Sequence, residues 1–199
     1  MGAIDPATLE FYTSRAPHYT YTSAQSHSVE LDPFLDRLEP GSLVLELGCG
    51  AGQDSDRMRQ RGFAFEATDG VPAMVKKANE RFDLDARVMR FDELAERARY
   101  DAIWAHATLL HCPRAELPGV LARIHRALKP GGWHFASYKL GDGEGRDLLG
   151  RLHNFPSVDW ILQLYEKAGF ALIDYPVGPG RAADGTQRDW IHLTVRKEG

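Results

Sequence analysis

Leu43-Val44-Leu45-Glu46-Leu47-Gly48-Cys49-Gly50-Ala51-Gly52 reads as an apolar strand that ends in a carboxylate and breaks into three alternating glycines. Glycine tolerates positive φ and has no Cβ, so such a chain turns sharply and lets a ligand touch bare backbone. A strand, a glycine turn and a helix also make a dinucleotide site, where a pyrophosphate sits on the helix N-terminus. Two features argue against a pyrophosphate here. Glu46 stands two residues before the first glycine, where a carboxylate repels phosphate. The glycines read G-x-G-x-G, and Gln53 holds the place where the dinucleotide fingerprint needs its third glycine. The stretch points instead to a ligand with a cationic end and no phosphate.

Outward from this turn, strands and helices alternate. Apolar runs bounded by turn residues predict strands at Leu43–Leu47, Phe63–Thr68, Ala86–Arg90, Ala102–Ala105, Trp133–Tyr138, Ala171–Tyr175 and Ile191–Arg196. Helical patterns fall near Gly52–Arg61, Pro72–Arg81, Arg114–Leu128 and Ser157–Ala168. Pro72 suits a first helical turn, and Gly62 and Gly169 suit helix ends. Lys129-Pro130-Gly131-Gly132 is expected to close one helix and open a strand. Alternation of this kind predicts an α/β fold, a doubly wound and largely parallel sheet with helices on both faces. Ligands of such sheets bind outside the carboxyl ends of the strands. Functional residues are therefore expected after Leu47, Thr68, Arg90 and Trp104.

Size and composition agree with one domain over 1–199, with an N-terminal lid and helix over 1–40 and the core over 41–199. The chain has 199 residues, 43% hydrophobic and 26% charged, as in ordinary water-soluble domains. A formal net charge of −4 gives no global pull toward nucleic acid or anionic membrane. No apolar stretch approaches the roughly 20 residues of a membrane span, and the first residues carry no basic-then-apolar pattern. The two cysteines, Cys49 and Cys112, lie far apart without metal-ligand spacing. A reducing, cytoplasmic setting is expected. Residues 1–30 and the loop Gly141–Phe155 do not fit the alternation, and both are expected to reach over the strand ends as lids.

S-adenosylmethionine is the common ligand with a cationic end and an unphosphorylated nucleoside. Gly48, Gly50 and Gln53 at the turn are expected to hold it, with Glu46 beside its charged end. Cys49 reads as a small buried spacer rather than a redox group. Asp69, after the second strand, has a carboxylate able to accept both ribose hydroxyls, although the same residue makes a good cap for the helix after Val71. Gly70 follows it. Met74 lies one turn on, where adenine contact and plain packing explain it equally well. Phe91 and Asp92 end the third strand, Asp92 either accepting from the adenine amino group or capping the segment Glu93–Arg97. Ala105 and Ala107 leave room for a methyl group after the fourth strand, beside His106 and His111. These histidines are candidates for a general base or for shaping the pocket. Tyr19 is expected near the ligand's methionine end, and Tyr12, Tyr138 and Arg151 are candidate substrate contacts. His27, His125, His134 and His192 do not make a metal cluster by spacing, and no metal is expected.

Taken together, the chain resembles the class I S-adenosylmethionine-dependent methyltransferases, in particular their compact small-molecule branch (ubiquinone/menaquinone-biosynthesis-like and tellurite-resistance-like). The resemblance runs from about Leu43 to Arg196. Besides the glycine turn it is carried by Asp69-Gly70-Val71-Pro72-Ala73-Met74, Phe91-Asp92, Tyr100-Asp101-Ala102-Ile103-Trp104 and Leu128-Lys129-Pro130-Gly131-Gly132. It implies a Rossmann-like, seven-stranded sheet whose last strand is antiparallel. It also implies a tyrosine-bearing lid at Tyr12-Thr13-Ser14-Arg15-Ala16-Pro17-His18-Tyr19, and S-adenosylhomocysteine as the product. Gly70 stands where many relatives have serine. No Asn-Pro-Pro-Tyr follows the fourth strand, where relatives that methylate amino groups of nucleic acids and proteins carry it. The reading is methyl transfer to a small-molecule acceptor, without nucleic acid or membrane partners. The rivals are RNA or protein methylation, a non-catalytic S-adenosylmethionine-binding accessory protein and, disfavoured by Glu46 and Gln53, NAD binding. Oligomeric state and acceptor atom are not encoded in any motif.

Overall fold

A computed structural model describes residues 4–22, 27–181 and 184–199, with backbone alone for 17–22 and 181. Its centre is β1 (Leu43–Leu47), which pairs in parallel with β2 (Ala64–Asp69) on one side and β4 (Tyr100–Ala105) on the other. The short β3 (Arg87–Val88) extends the sheet beyond β2, and β5 (Leu128–Lys139) extends it beyond β4. Past β5 lies the antiparallel β10 (Gln187–Lys197), with β8 (Phe170–Asp174) at the far edge. The order β3-β2-β1-β4-β5-β10-β8 reverses between β1 and β4, so the carboxyl end of β1 is a topological switch point.

The strand count is eight rather than seven. β9 (Val177–Arg181) joins the sheet by pairing with the first half of β10, while β8 pairs with the second half. Val177-Gly178-Pro179-Gly180-Arg181 is so rich in turn residues that its sequence reads as a loop. An 11-residue β10 has room for two short neighbours on one side.

Alternation along the strands sends residues to opposite faces. Leu45, Leu47, Ile103, Ala105, Leu193 and Val195 pack under α5 (Leu117–Ala127) and α6 (Val158–Lys167). Val44, Ala102, Trp104 and Phe135 pack under α2 (Leu31–Leu35) and Met58 of α3 (Gln53–Gln60). Trp104 and Phe135 stack with ring centroids 4.1 Å apart. α4 (Pro72–Phe82) covers Ala67 and Cys49, with Pro72 in its first turn as expected. Pro130 and Gly131 do not delay β5, which already begins at Leu128; the register against β4 shifts across them.

The two segments outside the alternation meet each other. α1 (Pro6–Thr22) packs on α4 through Leu9, Tyr12 and Ala16 against Val71 and Met74. The loop after β5 folds into a hairpin, β6 (Gly145–Arg146) with β7 (Leu152–His153). Arg146 makes a two-pronged ion pair with Asp5, both bonds 2.9 Å, and Leu152 N–H donates to Thr8 Oγ1 at 2.8 Å. Both lids are therefore built structure. Among the described residues no helix is long and apolar enough to cross a membrane.

Candidate functional site

The carboxyl ends of β1, β2 and β4 and the residues after β3 open into one cavity of about 330 Å³, roughly the size of a small-molecule pocket. Its floor is the glycine turn. Gly48, Gly50 and Gly52 all have positive φ, +77°, +53° and +87°. They differ in what a side chain would meet. A Cβ at Gly48 would collide with Thr108, and one at Gly52 with Leu84, so these two let protein pack on protein. At Gly50 the nearest atom would be Met74 Cε, 3.7 Å away. Only the middle glycine leaves its space to the cavity.

Glu46 lines the cavity from the carboxyl end of β1, only 3% exposed because α3 lies over it. Ser55 Oγ of α3 donates to its Oε2. Burial, with Asp54 and Asp69 nearby, raises its pKa to about 8. Burial therefore works against a standing negative charge on Glu46, and a neighbouring cation would favour its carboxylate.

Asp69, at the end of β2, accepts from Gly50 N–H (3.0 Å) on one oxygen and from Val71 N–H (2.8 Å) on the other. Burial raises it to about 6 in spite of these bonds. Asp69 thus holds the backbone at Val71, just before α4, and also faces the cavity. Cys49, Gln53, Gly70, Met74 and Phe91 line the same wall. Asp92 does not. Its turn points the carboxylate outward, 3.3 Å from Arg90 Nε, and Arg90 takes the place at the cavity.

The opposite wall comes from β4 and the lids. Ala105 is fully buried beneath the rim, and Ala107 and Thr108 form the rim itself. His111 is held neutral by burial and by His153, well below its ordinary pKa. Its Nδ1 is 2.7 Å from the Leu152 carbonyl, which can only accept, so Nδ1 carries the proton. Nε2 is then an acceptor, 2.8 Å from Tyr12 Oη. Arg151 Nη1 donates to the same phenol oxygen at 2.9 Å. Arg151 is itself buried and paired with Asp147, whose pKa its hydrogen bond and charge hold at about 2 against the opposing effect of burial. Arg151 thus backs the wall without lining it, and Tyr138 lies away from the cavity, bonded to Tyr165 at 2.9 Å. The side chain of Tyr19 lies outside the described residues.

His106 lines the cavity within a network that sequence spacing does not reveal. Asp54 accepts from Ser28 N–H (2.7 Å), Ser28 Oγ (2.8 Å) and Trp104 Nε1 (2.8 Å), and Ser28 Oγ is 2.9 Å from His106 Nδ1. Asp54 stands two residues after Gly52, close to the glycine turn. Ser28, Thr8 and Ile4 come from a segment whose path no pattern sets.

Residues 44–132 match a family described as a methyltransferase domain. Over 117 residues the chain is 33% identical to a ubiquinone biosynthesis O-methyltransferase of Xanthomonas oryzae pv. oryzae, which covers 55% of this chain and 48% of that protein. It is 35% identical over 117 residues to a carboxy-S-adenosyl-L-methionine synthase of Geobacter metallireducens, covering 53% and 48%. The chain spans about half the length of the curated relatives it matches. A solved structure of Burkholderia thailandensis 1,6-didemethyltoxoflavin-N1-methyltransferase, with bound 1,6-didemethyltoxoflavin and S-adenosylhomocysteine, has a TM-score of 0.79 at 22% identity. That likeness covers 97% of this chain and 88% of the other and concerns the fold.

Proposed function

We propose that the chain is a class I S-adenosylmethionine-dependent methyltransferase that methylates a small-molecule acceptor at an O–H or N–H group, a reading supported by the methyltransferase-domain match over residues 44–132 and by the relatives above. The observation carrying this reading is the continuity of one cavity from Glu46, Gly50 and Asp69 to Tyr12 and His111. A nucleoside half and a proton-accepting half share it. S-adenosylmethionine supplies an electrophilic methyl group on a sulfonium when bound there.

The residues fit that cofactor. Gly50 offers unshielded backbone, and Glu46 offers a carboxylate to the cationic amino-acid end. Each oxygen of Asp69 keeps a lone pair beyond its backbone bond, enough for two ribose hydroxyls. Phe91 and Met74 give an apolar bed for adenine, and Cys49, Gly70 and Gln53 complete the wall. On the acceptor side, Tyr12 Oη takes the acceptor's proton while passing its own to His111 Nε2. The Leu152 carbonyl keeps Nδ1–H in place, and the Arg151 guanidinium favours negative charge on the phenol oxygen during the transfer. Charge balances: one positive charge leaves the sulfur and one arrives on the imidazole. Holding the reactants in line supplies the larger part, on the order of 7–11 kcal/mol in well-oriented systems.

Calorimetry with S-adenosylhomocysteine tests the cofactor half. Asp69→Ala is expected to weaken binding by about 10- to 100-fold, the loss of charged hydrogen bonds; parent-like affinity would overturn the assignment. Incubation with methyl-labelled S-adenosylmethionine and fractionated cell extract tests the acceptor class. Label is expected in the small-molecule fraction, and label in RNA or protein would refute that part.

A further inference from the structure

We propose that Glu30, His106 and His192 form a binding site for a divalent transition-metal cation of the zinc class, beside the cavity. The three are far apart in sequence, and the sheet brings them together. Ser137 of β5 pairs with His192 of β10, and Ala136 pairs with Ala105, so His106 leaves β4 beside Ser137 in the same row. The residues of this row face α2, whose Phe34 packs on Trp104 and Phe135. Glu30 immediately precedes that helix and so arrives over the row.

The ligand atoms lie within 4.8 Å of one another. Glu30 Oε1 is 3.2 Å from His192 Nδ1, and Oε2 is 3.7 Å from His106 Nε2. A zinc ion bound at about 2.0–2.2 Å holds its ligands roughly 3.3 Å apart, which small side-chain rotations reach. Two imidazoles and one carboxylate, with positions left open, suit such a cation.

Proton bookkeeping supports the assignment independently. The single hydroxyl hydrogen of Ser28 goes to Asp54, so Ser28 Oγ accepts from His106 Nδ1–H. His106 Nε2 is then a bare lone pair aimed at a carboxylate, two acceptors face to face. The other ring nitrogen is tied to a carboxylate-backed hydroxyl, the outer support that orients metal-bound histidines. His192 Nδ1 is buried and makes no aligned hydrogen bond among the described residues, although the Glu30 carboxylate stands 3.2 Å away. A cation satisfies all three groups at once and ties the start of α2, the end of β4 and β10 into one wall of the cavity.

The test titrates Co²⁺ into the chelator-treated 199-residue chain, without S-adenosylmethionine, following visible d–d absorption, with Zn²⁺ as competitor. One Co²⁺ per chain is expected, displaced by Zn²⁺, with a rise in the unfolding temperature. His192→Ala and Glu30→Gln are each expected to weaken binding at least about tenfold, with circular dichroism verifying the fold. His125→Ala, a control away from the cavity, is expected to bind as the parent does. Two variants guard against misfolding of either one. Parent protein without stoichiometric binding, or binding that survives both substitutions, overturns the proposal. The readout does not depend on methyl transfer, so the two proposals fail separately.

Discussion

Tyr12 Oη lies 2.8 Å from His111 Nε2 although 99 positions separate the residues in sequence. The bond joins a helix that precedes the sheet to the turn after its fourth strand, and closes the cavity on the acceptor side. Arg151 on the third corner makes the phenol directional: it accepts from the guanidinium and donates to the imidazole.

Tyr12→Phe keeps the ring packed among Leu9, Val71 and Met74 and removes only the hydroxyl. General acid–base assistance is worth about 10²- to 10⁴-fold, and kcat is expected to fall by at least about 10²-fold with cofactor affinity unchanged. His111, kept below its ordinary pKa, remains a neutral base across the range where a free histidine titrates. The parent kcat is therefore expected to stay flat as pH falls through about 6.5. A Tyr12→Phe enzyme with parent kcat, or an inflection near 6.5, would remove the dyad from the chemistry.

Glu46 couples stability, pH and binding. Its folded pKa of about 8 lies above the unfolded value near about 4.3. The native state therefore keeps a proton that the unfolded chain releases, and stability falls as pH rises from about 4.5 to about 8. Asp69, raised to about 6, adds to the same slope over the lower part of that window. Glu46→Gln removes the larger contribution and keeps an acceptor for Ser55. It is expected to be more stable than the parent at pH 8, by an amount on the order of 1–3 kcal/mol. A cation beside Glu46 favours the carboxylate, so parent binding of S-adenosylmethionine releases a proton and tightens between about pH 6 and pH 8. In the glutamine variant binding is weaker and flat with pH. Calorimetry in buffers of different ionisation enthalpy reads the proton directly, and equal release from both proteins would sink the coupling.

The core was legible in the sequence because β1 is a nearly continuous apolar run closed by Gly48, and Pro72 marks the start of α4. Leu43–Leu47 and Pro72–Phe82 match their expected bounds to within a residue. The cavity wall was legible because strand ends fix where side chains emerge, so Glu46, Asp69 and Phe91 fall at one rim. Asp92 escaped because a two-residue β3 followed by a tight turn rotates consecutive side chains apart. The charge state of Glu46 escaped because it depends on α3 covering the strand, a tertiary fact. Ser28, Thr8 and the juxtaposition of His106 with His192 depend on which strands become neighbours, and no local pattern carries that.

The glycine turn separates folding from binding within three residues. At Gly48 a methyl group runs into Thr108, and φ of +77° already disfavours any side chain. Gly48→Ala is expected to lose about 2–4 kcal/mol of stability, from overpacking added to left-handed backbone strain. At Gly50 the φ of +53° is the left-handed well itself, and the space beyond is open apart from Met74 Cε. Gly50→Ala is expected to lose only about 1 kcal/mol, the strain alone. Its methyl group stands on the backbone surface that the cofactor would touch, so affinity for S-adenosylhomocysteine is expected to drop by more than about tenfold. Denaturant unfolding and calorimetry on the two variants give four numbers, and the pattern must cross: stability lost chiefly at Gly48, affinity lost chiefly at Gly50 in a protein that still folds. Parent-like affinity in Gly50→Ala would mean that the ligand does not lie on this turn.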